Sequence, residues 1–77
     1  MKVQVFATLK DHFETEFDVE DGLTNVSSLQ AYLESLRPAA ASLLGRCRYA
    51  VQEEFVNKDY QLKENDTIFI IPPSSGG

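Results

Sequence analysis

The chain has one cysteine, Cys47, and one histidine, His12, in 77 residues. A single cysteine forbids an internal disulfide and suits a reducing compartment, so a cytoplasmic location is expected. A solitary histidine with no second His or Cys near it in sequence predicts no metal site. Basic residues are scarce: 7 Lys and Arg against 12 Asp and Glu, a net charge of −5. That counts against nucleic-acid binding, which needs clustered cations to displace counterions from phosphates. No apolar run approaches the roughly 20 residues that span a bilayer, so no membrane partner is expected. Met1-Lys2-Val3-Gln4-Val5 lacks the long apolar stretch and small-residue cleavage site of a secretory leader. Length is short as well. A chain of this size buries only about 60–65% of its unfolded surface, which allows one small core and no deep cleft. A carrier, adaptor or subunit is favoured over a self-sufficient enzyme, and no bound cofactor is expected.

What is present is ordinary for one globular domain, with 43% hydrophobic and 25% charged residues, so the ordering of residues must carry the information. Lys2 to Leu9 alternates, with Val3, Val5, Ala7 and Leu9 on one face and Gln4, Phe6 and Thr8 on the other, which predicts a strand. Phe13, Thr15, Phe17 and Val19 alternate with Glu14, Glu16, Asp18 and Glu20, the pattern of a half-buried strand. Lys10-Asp11-His12 is short enough to be the hairpin loop between them. After Asp21-Gly22, Thr24 or Asn25 can cap a helix whose apolar stripe is Val26, Leu29, Leu33 and Leu36. Pro38 ends it. Ala39 to Leu44 can add a short helical turn that stops at Gly45.

Strands return after that. Arg48 to Gln52, with Tyr49 and Val51 on one face, is the third, and Phe55-Val56 is a short edge strand. Lys63-Glu64-Asn65-Asp66 predicts a turn, with Asn65 suited to a left-handed backbone. Thr67 to Ile71 is almost wholly apolar and reads as a central strand covered on both sides. The order is β-β-α-β-(β)-β. The helix stripe has to bury itself on one face of the sheet. The first and last strands, the most apolar, belong together in the middle. An α+β fold follows, a ubiquitin-like β-grasp with a mixed sheet and one main helix on one face, spanning residues 1–71.

Residues 72–77 read Pro72-Pro73-Ser74-Ser75-Gly76-Gly77 and form the expected flexible tail. Two prolines stop a strand and start a stiff extended segment. Six extended residues reach roughly 20 Å. The result is a thin, uncharged thread suited to a narrow tunnel, since glycine allows close backbone approach. A terminal carboxylate is left to do chemistry, and it acylates poorly until adenylation makes its oxygen a leaving group. A sulfur donor attacking that mixed anhydride leaves a thiocarboxylate. A frayed terminus without function is the alternative reading of Gly76-Gly77 alone.

The sequence resembles the small, sulfur-carrying subunits of molybdopterin synthase. The likeness is carried by Val5-Phe6-Ala7-Thr8-Leu9, by Tyr49-Ala50-Val51-Gln52-Glu53-Glu54-Phe55-Val56, and by Leu62-Lys63-Glu64-Asn65-Asp66-Thr67 with Ile70-Ile71-Pro72-Pro73-Ser74-Ser75-Gly76-Gly77. It covers essentially the whole chain, and the Pro-Pro-x-Ser-Gly-Gly ending is its most specific part. The resemblance implies a β-grasp fold. It implies adenylation of Gly77 by a ubiquitin-activating-like adenylyltransferase that uses ATP, then sulfuration from a sulfur donor protein. It further implies insertion of the tail into a large synthase subunit, where sulfur passes to cyclic pyranopterin monophosphate to build the dithiolene of molybdopterin. The chain is then a cosubstrate rather than a catalyst on its own. Two rivals stay open: the sulfur carrier of thiazole biosynthesis, with the same fold and tail, and a ubiquitin-like modifier or plain β-grasp binding module.

Other residues carry weaker signals. Cys47 lies between Arg46 and Arg48, and neighbouring positive charge favours a thiolate, whereas a lone cysteine is more often a small core residue. His12 reads as a solvated loop residue. Glu53-Glu54 resembles an acid/base dyad, but adjacent strand residues point to opposite faces. The acids cluster as Glu14, Glu16, Asp18, Glu20 and Asp21, and again as Glu53, Glu54, Asp59, Glu64 and Asp66. They are either a solvated surface or a face that steers docking. Phe6, Phe55 and Phe69 are expected on the open face of the sheet, either as a partner interface together with Pro72, Pro73, Ser74 and Ser75, or under a covering loop.

Overall fold

A computed structural model of the chain describes residues 1–20 and 22–73. The elements are β1 Lys2–Val5, β2 Glu16–Asp18, α1 Val26–Leu36, α2 Ala41–Leu44, β3 Arg48–Val51, β4 Glu54–Val56 and β5 Thr67–Ile71. The strands form one sheet in the order β2-β1-β5-β3-β4. β1 and β5 run parallel, with Val3 opposite Ile68 and Val5 opposite Ile70, and the other pairings are antiparallel. Parallel neighbours need a long crossover, and the segment holding α1 and α2 contributes to it. The expected mixed sheet with its two most apolar strands at the centre is therefore present.

Side-chain alternation divides the sheet. Val3, Val5, Tyr49, Val51, Ile68 and Ile70 point to one face and are buried. Val26, Leu29 and Leu33 of α1 join them there, with Leu9 and Leu44, in a single core cluster. Of the two capping candidates, Asn25 caps α1. Its side-chain oxygen accepts from the Ser28 amide at 2.9 Å, while Ser28 Oγ accepts from the Asn25 amide at 3.0 Å. The helix ends just before Pro38, a 3-10 turn spans Pro38–Ala40, and α2 follows. Leu36, the last position of the stripe, stays 44% exposed at the helix end.

Several expectations are corrected. β1 stops at Val5 rather than Leu9, and a 3-10 helix runs over Ala7–Asp11. Ala7 is exposed with φ 55°, while Leu9 still reaches the core through the turn. The alternating pattern was satisfied by a turn that places Leu9 inward, so the connection to β2 is longer than a tight Lys10–His12 loop. β2 covers only Glu16–Asp18, although Phe13 and Phe17 do share a side, stacking at 5.7 Å. The turn before β5 is closed by the Asp66 carboxylate, which accepts from the Lys63 amide at 2.9 Å. Asn65 is not left-handed there. Positive φ falls instead on Gln52 (53°) and Glu53 (66°), the two residues joining β3 to β4. β5 is covered on one face only: Ile68 and Ile70 are buried, whereas Thr67, Phe69 and Ile71 are half-buried.

Candidate functional site

The face of the sheet away from α1 carries the aromatic residues expected there. Strand register aligns Phe69 of β5 with Ala50 of β3, and Ala50 with Phe55 of β4. Ala50 is only 6% exposed, because the two phenyl groups flank a methyl too small to stand above them. Phe6, directly after β1, meets Phe69 edge-on at 5.9 Å with an interplanar angle of 79°. Such T-shaped pairs add about 0.5–1.5 kcal/mol to their area burial. Phe55 is 55% exposed, the most solvent-exposed large apolar side chain among the described residues, and the Arg48 guanidinium lies 3.8 Å from its ring centre. Phe55 is thus left open to solvent, while Phe6 and Phe69 are half-buried.

The tail's root belongs to the same surface. Ile71 pairs with Arg48, and Val5 pairs with Ile70, so one further register step sets Phe6 beside Ile71. Pro72 follows half-buried and Pro73 exposed. Neither can extend the ladder, since proline has no amide hydrogen. Phe6, Phe69 and Phe55 thus form an apolar strip across four strands that begins where the chain leaves β5. Ala7, the residue after Phe6, holds a backbone conformation that costs an L-residue roughly 1–2 kcal/mol. It turns the chain out of β1 and leaves Phe6 on the sheet's rim. Ser74, Ser75, Gly76 and Gly77 lie outside the described residues.

The other sequence candidates separate. Cys47 is 6% exposed and its Sγ donates to the Leu43 carbonyl at 3.2 Å. Burial pushes its thiol up to about 11, and the opposing pull of Arg46 and Lys58 does not overcome that. The flanking arginines therefore do not make a thiolate, and Cys47 is a core residue. Tyr49 is buried, its hydroxyl donating to the Leu44 carbonyl at 3.2 Å, and burial raises its phenol further, helped by Cys47 and Glu34. Glu53 and Glu54 are exposed, in a turn and an edge strand, and form no dyad. His12 is half-buried rather than solvated, its carbonyl accepting from Arg37 Nε at 3.0 Å, a bond that ties the β1–β2 connection to the end of α1. No group of three or more His, Cys, Asp or Glu able to hold a metal occurs among the described residues. No helix among them is long and apolar enough to cross a membrane.

A match to the ThiS family spans residues 3–77, from β1 through the last glycine. The chain belongs to the ThiS family. It is 35% identical over 66 residues to a protein from Chlamydomonas reinhardtii called molybdopterin synthase sulfur carrier subunit, covering 83% of this chain and 78% of that one. Among solved structures it resembles a chain in the complex of subunits 1 and 2 of molybdopterin-converting factor from Helicobacter pylori 26695. There the TM-score is 0.72 at 27% identity, over 99% of this chain and 96% of that one. SAMP1 from Haloferax volcanii shares the fold, with a TM-score of 0.74 at 22% identity over 99% and 97% of the two chains. The resemblance first seen in the motifs is thereby confirmed, and the fold is the ubiquitin-like β-grasp.

Within this ThiS-family domain, Pro72 and Pro73 follow directly on β5, and Phe6, Phe69 and Phe55 lie on one face of the sheet. Arg48, Ala50 and Ile71 belong to it too and were missed. Alternation along β3 places Arg48 and Ala50 on the face opposite Tyr49 and Val51, which was readable. That Arg48 would sit on Phe55 depends on the β3–β4 pairing, which was not.

Proposed function

We propose that this chain is the sulfur-carrier subunit of a molybdopterin synthase and that residues 72–77 act as a tail delivering sulfur inside a larger partner. One observation carries the reading: the uncovered apolar strip of Phe6, Phe69 and Phe55 is continuous with the root of the tail at Ile71-Pro72-Pro73. A surface that docks and a thread that enters a cavity have to be adjacent if one partner is to engage both. The depressions found among the described residues are open ones, so the catalytic side chains are assigned to the partner. Likeness to the algal sulfur carrier subunit and to a chain of the Helicobacter pylori two-subunit complex supports the same role and the same kind of partner.

The chemistry needs one reactive group from this chain, the Gly77 carboxylate. Its oxygen attacks the α-phosphorus of ATP on a ubiquitin-activating-like adenylyltransferase, pyrophosphate leaves, and an acyl adenylate forms. Sulfur at the sulfide level, supplied by a donor protein, adds to the acyl carbon and expels AMP, leaving a thiocarboxylate. Gly76 and Gly77 have no side chains to obstruct a narrow passage. Inside the large subunit the thiocarboxylate sulfur bonds to a carbon of cyclic pyranopterin monophosphate and displaces an oxygen there; water then cleaves the acyl–sulfur bond, which leaves the sulfur on the substrate and returns Gly77 to a carboxylate. Cytoplasmic ATP and a reducing environment suit both steps.

Intact-mass measurement tests the first half. After incubation with ATP, the adenylyltransferase and a sulfur source, the protein should gain the mass difference between oxygen and sulfur at Gly77. A variant lacking Gly77 should gain nothing and restore no molybdopterin. Sulfur transfer by that truncated variant, or conjugates to lysines of other proteins in place of the mass gain, would refute the reading.

A further inference from the structure

The chain carries a net charge of −5, yet one corner of its sheet is positive. Arg46 and Arg48 are exposed at the start of β3, and Lys58 is exposed just beyond β4. Arg48 and Lys58 rim an open depression of about 290 Å³ whose walls include Tyr49, Phe55 and Val56. Arg46 and Lys58 both act electrostatically on Cys47, in the wall of the same depression, which places all three cations at one corner.

None of the three is ion-paired with a carboxylate among the described residues. Two are nonetheless held in place. Arg48 lies over Phe55, and Lys58 donates to the Gln30 side-chain oxygen while its Nζ lies 5.5 Å from the centre of the Tyr49 ring. Glu34 of α1 accepts from Gln30 Nε2 at 2.8 Å. The opposite edge has the other sign: β2 carries Glu16 and Asp18, and Glu16 pairs with Lys2 at 3.2 Å. Three neighbouring cations without counter-charges repel one another, and an arriving anionic surface relieves that repulsion. Their location says which surface. Arg48 pairs with Ile71, the residue before Pro72, and stacks on Phe55, so the positive corner is continuous with the strip at the tail's root.

We propose that Arg46, Arg48 and Lys58 form an electrostatic docking corner for a carboxylate-rich surface of the protein that receives the tail, an assignment that rests on the sulfur-carrier role. Attraction there would orient the domain so that the tail meets its entrance before the aromatic strip is desolvated. Such long-range attraction acts mainly on the association rate and is screened by salt. Nucleic acid is the poorer occupant, because the remaining charge of the chain repels phosphates.

The test is the association rate of the full chain with a molybdopterin synthase large subunit at low and at physiological salt. An R46E/K58E variant keeps the Arg48–Phe55 stack, and its fold is checked by thermal unfolding. We expect association about ten-fold slower at low salt, a lost or inverted salt dependence and little change in dissociation. Unchanged association, or a change confined to dissociation, overturns the proposal while leaving the sulfur-carrier role intact. If the wild-type chain does not bind the large subunit at all, the sulfur-carrier reading fails. The corner is then judged by NMR titration with a hexaglutamate peptide and, in parallel, a short single-stranded DNA. Shifts confined to residues 46–50 and 54–58 with the peptide alone uphold it as an acidic-segment site. No shifts, scattered shifts, an equal response to DNA, or self-association through the acidic β2 edge overturn it.

Discussion

The two faces of the sheet are made by the same strands, with residues that differ by one step, and they do opposite work. On the helix side Val3, Val5, Ile68 and Ile70 are completely buried against Leu29 and Leu33. On the far side Phe6 and Phe69 are half-buried and meet edge to face, and Phe55 is more than half exposed. Apolar content alone does not distinguish these faces; coverage does. A domain this small has one helix long enough to cover a face, so aromatic residues on the other face are surplus to folding. Surplus exposed aromatics beside a chain exit are the basis for the docking surface proposed above.

The sharpest way to break the comparison is to shorten a residue on each side. Leu33→Ala should lower stability by about 2–5 kcal/mol in chemical denaturation, because it opens a cavity that α1 cannot close. Phe6→Glu should cost about 1 kcal/mol of stability, the T-shaped contact being its main loss. It should nonetheless weaken capture of the large subunit by about 2 kcal/mol or more, as expected at an interface hot spot. Equal stability losses for the two variants, or unchanged capture by Phe6→Glu, would erase the distinction between the faces.

Alkaline pH tests the buried face alone. The Cys47 thiol is raised from 9.0 to about 11 in the folded chain. The unfolded chain therefore gives up its proton first as pH rises. The stabilisation is fully present below 9.0 and is lost progressively toward 11, by up to about 3 kcal/mol. Tyr49, raised for the same reason, acts in the same direction at higher pH. Denaturation midpoints followed through this window should fall, and Cys47→Ala should flatten the first part of the fall. A flat profile for the unsubstituted protein would contradict the burial of Cys47. The smallest effect is expected at the β3–β4 turn. Glu53→Gly should raise stability by up to about 1 kcal/mol, because glycine adopts positive φ without strain. A loss of stability there would show that Glu53 makes a contact outweighing its backbone cost.

Much of this was legible in advance, and the gaps have a common origin. The α1 stripe, its stop before Pro38, the edge position of β4 and the central placement of β1 beside β5 follow from spacing, from proline and from the distribution of apolar residues; that these two strands run parallel came from the structure. The boundary errors arose where a periodic pattern was met by a different backbone. Leu9 had to be buried, and a 3-10 turn did that as well as a longer strand. Positive φ was expected at Asn65, the residue type that tolerates it best. It fell on Gln52 and Glu53 because the two-residue link between β3 and β4 needs left-handed residues whatever their identity. For Cys47, sequence showed only its charged neighbours, while desolvation, the stronger effect, depends on what folds over the thiol.

The sequence by itself determined which residues are apolar, their period along each segment, where prolines and glycines interrupt it, and hence the order of strands and helix and the make-up of the tail. These are local matters, governed by the chain's own geometry and by water. The tertiary structure decided that Phe6, Phe69 and Phe55 share one face of the sheet, that Arg48 rests on Phe55, and that Arg46, Arg48 and Lys58 gather at one corner with no ion pair among the described residues. Those juxtapositions join residues as far apart as 6 and 69, and only strand pairing, with one face sealed by a single helix, brings them within reach of each other.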